Sequence, residues 1–370
     1  DGSASNPGVT GGYHIDWAID MTTTENVPTA TINAGFKNIS QDEFPASPDS
    51  KGTPDLAWFK ARDATNNHLI VDSSRGGNKQ LQPNLTNAEL TQEDMIQKFL
   101  PGGYFVEDFV NLNENETPFV SWNWVGNSGT TSANTDGSGA TIASTIQANQ
   151  TAGFSIVRYD GDGGNASRKV AHGLSQAPEW IVLKFMDATS AWSVYHTSLG
   201  NTKRVKLESS DSAATASSYW NNTSPTSSVF TVGSDFNQSS QYDYIAYCWH
   251  SVPGYSRFSK WIGNGSSDHN TFVYTGFKPA WILWKATDGE GWYLYDTGRN
   301  RYNGLGNLLR PDVANADYNY ALSEGVLPMS NGFKVLGSSG WHGTDGQTYI
   351  YAAFAEHPWI GDGTNPVPAR

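Results

Sequence analysis

Cysteine, basic charge, long apolar runs and helix signals are all scarce in this chain, and each shortage removes a class of explanation. A single cysteine, Cys248, in 370 residues excludes an internal disulfide framework. Its place inside a strand-like run marks it as a small packing residue rather than a reactive thiol. The net charge of −13 has the wrong sign for a surface that tracks phosphates, and Lys203, Arg204 and Lys206 form the one basic cluster. No nucleic-acid partner is therefore expected. No apolar run approaches the roughly 18 residues of a spanning helix, so membrane insertion is not expected either. The opening residues from Asp1 lack a basic stretch followed by an apolar one, so no signal peptide is read there. One helix is predicted, from Thr91 to Leu100, where capping-box spacing precedes Met95, Ile96 and Phe99 and Pro101 ends the run.

What the chain has in quantity is aromatic. Its 14 Trp, 17 Tyr and 16 Phe stand against 4 Met, a bias that suits pleated, half-buried surfaces. Many of these rings recur in three copies of one pattern. Pro54, Pro178 and Pro279 are each followed six residues later by a lysine (Lys60, Lys184, Lys285). An aspartate comes three residues after each lysine (Asp63, Asp187, Asp288). Further on, Leu81 with Ala88, Leu207 with Ala214 and Leu309 with Ala316 correspond. The copies close on Phe119 to Trp124, Tyr244 to Trp249 and Tyr349 to Phe354. A unit repeated three times reads as a modular scaffold and moves function away from one unique catalytic centre.

Alternation dominates within each copy. In the second closing run, Ile245, Tyr247 and Trp249 point one way, and Tyr244, Ala246 and Cys248 the other. Short strands punctuated by Gly and Asn predict an all-β fold of three tandem β-sandwich units, jelly-roll or lectin-like, with little helix. Unit 1 is read as residues 1–125, unit 2 as 154–253 and unit 3 as 254–370. The Gly-, Ser- and Thr-rich residues 126–153 are either a flexible linker or a strand that crosses between units. Units 2 and 3, joined through Ser251 to Tyr255, are expected to pack as a rigid pair.

Candidate chemistry is thin, and no catalytic residue is predicted; the chain is not read as an enzyme. The repeated Asp63, Asp187 and Asp288 suit turns at strand ends. Asp72 with Arg75 and Asp296 with Arg299 suit ion pairs or turn anchors. Asp160, Asp162 and Asn165 have the alternating oxygens of a calcium loop without the closing Glu of the twelve-residue frame, so calcium is a weak option and no other cofactor or metal is expected. Aromatics remain. Trp192 and Tyr195 match Trp292 and Tyr295, and Trp220, Trp341 and Trp359 lie outside the repeat pattern. All seven are candidate contacts for a glycan or a protein, since sugar rings stack on exposed Trp and Tyr. Core packing is the competing reading for each.

Ala152 to Val157 (AGFSIV), His172 to Pro178 (HGLSQAP), Val194 to Gly200 (VYHTSLG) and Ser218 to Pro225 (SYWNNTSP) are distinctive phrases. They resemble a repeat domain of virion proteins from tailed bacteriophages, particularly marine ones, of a tail-fibre or lectin-like kind. Pro54 to Trp58, Asn67 with His68, and Asp72 to Gly76 extend the likeness into unit 1, so that it covers roughly residues 50 to 360. The resemblance implies a component of the virion surface with a β-sandwich fold, and it brings no catalytic residues. The expected role is a structural protein of a tail fibre or other appendage that contacts the host envelope by multivalent binding. Its expected partners are other virion proteins, a host surface glycan and further copies of itself, a trimer by analogy with fibres. A decoration or scaffold protein that binds only virion proteins is the first alternative. A surface-polysaccharide hydrolase, which would need paired carboxylates in an aromatic groove, is the second.

Overall fold

The two faces of each closing strand find different destinations, and that division sets the architecture. A computed structural model describes residues 17–20, 53–100, 103–126, 132–133, 139–163, 167–238, 240–266, 271–299, 307–319 and 325–355. Among these residues the chain is almost wholly β. Helix is confined to the single turns Val110–Asn113 and Ser217–Trp220 and the 3-10 turn Ser234–Phe236.

Each repeat builds one main sheet in the same order. In unit 2 an opening strand (Phe154–Asp160) pairs with the closing strand (Asp243–Trp249), then come a first strand (Trp180–Phe185) and a second (Ser193–His196). Unit 3 repeats this with Ser256–Ile262, Thr348–Ala355, Pro279–Ala286 and Trp292–Asp296. In unit 1 the closing, first and second strands are Phe119–Trp124, Leu56–Ala61 and Leu69–Asp72. There the opening position is taken by Trp17–Asp20, which runs parallel to its neighbour where the other units are antiparallel. Residues 126–153 contribute the strand Thr145–Asn149, which adds to the free edge of unit 2's opening strand.

A small sheet packs on the outer face of each main sheet. Phe59, Leu69 and Val71 meet the hairpin Ile96–Leu100 with Gly103–Val106. Ile181, Leu183 and Tyr244 meet Arg168–Ala171 with Val229–Val232. Ile282, Trp284 and Tyr349 meet Phe272–Tyr274, Gly332–Leu336 and Gly325–Met329. The hairpin in unit 1 corrects the predicted helix over Thr91 to Leu100. A helix of so few residues does not support itself, whereas the ladder with Gly103–Val106 holds Ile96 in the buried layer and leaves Gln97 and Lys98 in solvent.

The inner faces of all three main sheets share a single core. It joins Trp58, Trp122 and Trp124 of unit 1, Trp180, Tyr247 and Trp249 of unit 2, and Phe258, Trp281 and Phe354 of unit 3. Strand register arranges this core in rows. Leu56–Trp124, Trp180–Trp249 and Trp281–Phe354 are paired positions at one end. Trp58–Trp122, Val182–Tyr247 and Leu283–Ala352 follow, and the repeated lysines pair with Val120, Ile245 and Ile350 at the other end. The Trp124 ring meets Trp249, Trp281 and Phe354 at centroid distances of 5.8, 5.9 and 5.7 Å, so all three closing strands converge there. Every main sheet is thereby covered on both faces, which explains why its first strands read as continuous apolar runs.

Candidate functional site

The polar residues of the repeat gather at the three seams between units. In unit 2 the Trp192 indole N–H donates to the Gln82 and Leu85 carbonyls of unit 1, at 3.0 and 3.2 Å. The equivalent Trp292 of unit 3 donates to the Lys206 carbonyl of unit 2 at 2.7 Å. The position in unit 1 is His68, which lies 3.2 Å from the Arg310 carbonyl of unit 3. Its Nδ1 accepts from the Trp58 indole at 3.0 Å, so its Nε2 carries the proton and donates. Unit 2 therefore holds unit 1, unit 3 holds unit 2, and unit 1 holds unit 3. The ring is closed.

Two of the three repeated lysines bond across the same seams. Lys184 Nζ bonds the Thr86 carbonyl of unit 1 at 3.1 Å and its own Ser190 carbonyl at 2.7 Å. Lys285 bonds the Ser209 carbonyl of unit 2 at 2.9 Å and the Glu290 carbonyl. Lys60 bonds the Ala64 carbonyl at 2.9 Å, while its neighbour Arg62 pairs with Asp317 of unit 3 at 3.1 Å. Burial brings all three ammonium groups down to about 8, against a partial counter-effect from nearby carboxylates.

A second set of contacts differs from seam to seam. Asp72 takes the Arg75 guanidinium at 2.6 Å and the Tyr247 hydroxyl of unit 2 at 2.7 Å. Asp296, paired with Arg299, accepts from the Trp122 indole of unit 1 at 3.3 Å. Unit 2 has His196 and Leu199 at those places, and the third seam is built otherwise. There the His196 Nδ1 accepts from the Ser198 N–H at 3.1 Å, and its Nε2 donates to the Tyr351 carbonyl of unit 3 at 3.0 Å. Burial pulls His196 down to about 4 and His68 well below the ordinary imidazole value. Both rings are neutral at pH 7.

The aromatic candidates lie mostly inside, which corrects the reading of them as stacking faces. Trp192, Tyr195, Trp220, Trp292 and Tyr295 are buried. Trp192 and Trp292 are seam residues. Trp220, carried by the turn Ser217–Trp220, plugs unit 2's outer core, donates to the Lys203 carbonyl at 3.0 Å and meets Tyr195 edge-on. Trp341 is half-buried against Trp284, Tyr293 and His342. Trp359 lies outside the described residues.

The repeated Asp187 and Asp288 are engaged by structural partners. Asp187 accepts the Asp243 N–H at 2.7 Å, and Asp288 is bonded by Gln347. Asp162, of the weak calcium option, is engaged by Arg168 and by Asn237 at 2.7 Å, and Asn165 lies outside the described residues. Among the described residues no group of three or more His, Cys, Asp or Glu stands close enough to hold a metal. Cys248 is wholly buried, and burial pushes its thiol far up, out of the reactive range.

Unit 3 carries a surface feature that sequence reasoning missed. Its small sheet sends Val273, Phe333 and Val335 inward. The outward residues include Phe272, Tyr274 and Met329, which are 46, 56 and 41% exposed. Tyr274 and Met329 flank Gly332 in register, and Phe272 pairs with Lys334. The same strand in unit 2 is Arg168–Ala171, with Lys169 and Ala171 where unit 3 has Phe272 and Tyr274. Both strands end in a glycine turn with positive φ, Gly173 and Gly276, which fixes the correspondence. Comparing the two repeats at those two positions would have exposed the departure.

Residues 49–358 match a protein family described as a domain of unknown function, DUF7483. No curated protein and no solved structure matches the chain.

Proposed function

The chain belongs to the DUF7483 family, whose matched span, residues 49–358, reaches into all three units of the ring, and we propose that this ring is a structural protein of a tailed-bacteriophage virion. In this reading it forms part of a tail fibre or another surface appendage and contacts the host envelope through several weak sites per particle. The observation that carries it is the single inner core. Three sheets are buried on both faces, and their lysines, histidines and acid–arginine pairs hold seams together. Such a body is a stiff block, and its work falls to its outer surface. The phrases that resemble phage repeat domains, from AGFSIV to SYWNNTSP, support the virion assignment.

One chain already supplies three copies around a common centre, the arrangement that single-unit fibre subunits reach by association. Higher assembly of this chain is part of the proposal and concerns rings joined to rings. Imaging of phage particles with the chain labelled tests the assignment. Label on an appendage together with adsorption blocked by the free protein is the expected result. Label confined to the capsid shell with unaffected adsorption would transfer the protein to the decoration and scaffold class.

A further inference from the structure

The outer sheet of unit 3 departs from its sister repeat in a way that packing does not explain. Four of the six exposed large apolar side chains among the described residues belong to unit 3 (Ile262, Phe272, Tyr274, Met329), and none belongs to unit 2. Three of them share one face of one small sheet. That face is flat for an identifiable reason. A Cβ at Gly332 would stand 2.2 Å from the Val273 carbonyl and 2.9 Å from the Phe272 ring, so the ring lies across the glycine. Phe272 and Tyr274 are two residues apart on one strand, roughly 7 Å along the chain, with Met329 on the far side of Gly332.

The electrostatics of the face are as unusual as its composition. The chain carries a net charge of −13, yet the three strands of this sheet contain one charged residue, Lys334, and no acid. The Arg257 guanidinium stands 5.6 Å from the Tyr274 ring at the rim. An apolar, ring-bearing platform edged by cations on an acidic body is complementary to an anionic partner. Two flat rings favour the C–H faces of sugars, with Lys334 and Arg257 left to meet carboxylates.

We propose that the outward face of unit 3's small sheet, built on Phe272, Tyr274, Met329 and Gly332 with Lys334 and Arg257 at its edge, docks an acidic polysaccharide. The proposal rests on the host-contact reading above and gives it a site and a ligand class. Unit 3 binds; units 1 and 2 hold it in place.

The test is affinity electrophoresis of the full chain through gels containing alginate, with dextran gels as the neutral counterpart. Alginate is expected to retard the wild type, increasingly so at low salt, and dextran is not. The F272S/Y274S variant should lose about tenfold in affinity, as removal of two stacked rings implies. K334Q should weaken binding and flatten its salt dependence. Phe272 and Tyr274 are exposed and Lys334 is half-buried, so unchanged melting temperatures certify the fold. Equal retardation of F272S/Y274S and wild type overturns the site and leaves the host-contact reading standing. A wild type that alginate does not retard overturns the ligand class, and adsorption blocking by the same preparation then judges the broader reading separately. Two further arms use phosphatidylglycerol vesicles and polyglutamate. Binding to either one alone, lost in F272S/Y274S, would reassign the face to lipid or acidic protein. Dimerisation of the wild type that F272S/Y274S abolishes would assign it to a second copy, and the proposal falls.

Discussion

The buried lysines show how a repeated residue can be structural and still leave a measurable signature. Lys60, Lys184 and Lys285 sit at the end of the inner rows, where an aliphatic stem fits the core and an ammonium reaches loop carbonyls. Their pKa values fall from 10.5 to about 8 because burial disfavours the charge. A lowered pKa in the folded chain means that stability is fully present above 10.5 and is lost as pH falls through 8. Urea midpoints should therefore rise between about pH 7.5 and 9.5, by on the order of 1 kcal/mol per lysine. Lys184→Met should remove its share of that slope. At neutral pH it should also destabilise by about 1–3 kcal/mol, because the Thr86 and Ser190 carbonyls lose their donor. His196 gives the acid counterpart. Its value of about 4 lies below the ordinary 6.5, so its contribution is present above 6.5 and is lost as pH falls through 4. The Nδ1 that accepts from Ser198 must then take a proton, and that hydrogen bond breaks. Denaturation followed from pH 7 down to 4 should show a shallower decline in His196→Gln than in the wild type. An identical decline would place the acid sensitivity elsewhere, with the similarly buried His172 as the next candidate.

At the scale of strands, the seams are matched pair by pair. Trp122 faces Asp296 and Arg299, Tyr247 faces Asp72 and Arg75, and the strand that carries Ala352 meets His196 and Leu199. Bulk and hydrogen-bonding capacity change together across each boundary. Trp122→Ala should cost about 3–5 kcal/mol, from the cavity and the stranded acceptor on Asp296. Placing Trp at Ala352 should also destabilise, by about 1–3 kcal/mol or more, because that seam is already filled. Thermal melts of both variants check the pair, and a neutral Ala352→Trp would mean that the third seam has room the packing does not show. Strands of this kind were readable beforehand. Threefold spacing, continuous apolar first strands and alternating closing strands all announced themselves in residues such as Trp180 to Lys184 and Tyr244 to Trp249. The closed ring was not, because a central strand looks the same whether its second face meets a small sheet or two other units. Trp192 and Trp292 are hard to place from sequence for a related reason. An indole that donates to a loop carbonyl of the next unit carries no local mark distinguishing it from one on the surface. The 91–100 segment is ambiguous in sequence because Met95, Ile96 and Phe99 fit a helical face as well as a hairpin whose buried and exposed positions are not strictly alternating.

For the molecule as a whole, the shared centre decides how the three units fold. A sandwich with only one face to bury can stand alone at about 100 residues, but each main sheet here has two. Cut free, unit 2 would present Trp180, Val182, Ile245, Tyr247 and Trp249 to water on its inner face. It would also leave Lys184 and Trp192 without the Thr86, Gln82 and Leu85 carbonyls that they bond. Self-association does not rescue it. In a homotrimer of unit 2, Tyr247 would meet His196 rather than the Asp72 and Arg75 pair, a seam that the sequence nowhere builds. The intact chain should accordingly melt in one calorimetric transition with equal calorimetric and van't Hoff enthalpies, despite its length. A fragment spanning residues 139–253 should be unfolded or molten by near-ultraviolet circular dichroism, with its tryptophans in a solvent-exposed environment. Three separate transitions in the intact chain, or a fragment with native-like aromatic dichroism, would show that the inner core is an interface between finished domains. A single transition with an unfolded fragment makes it the core of one domain folded from three repeats.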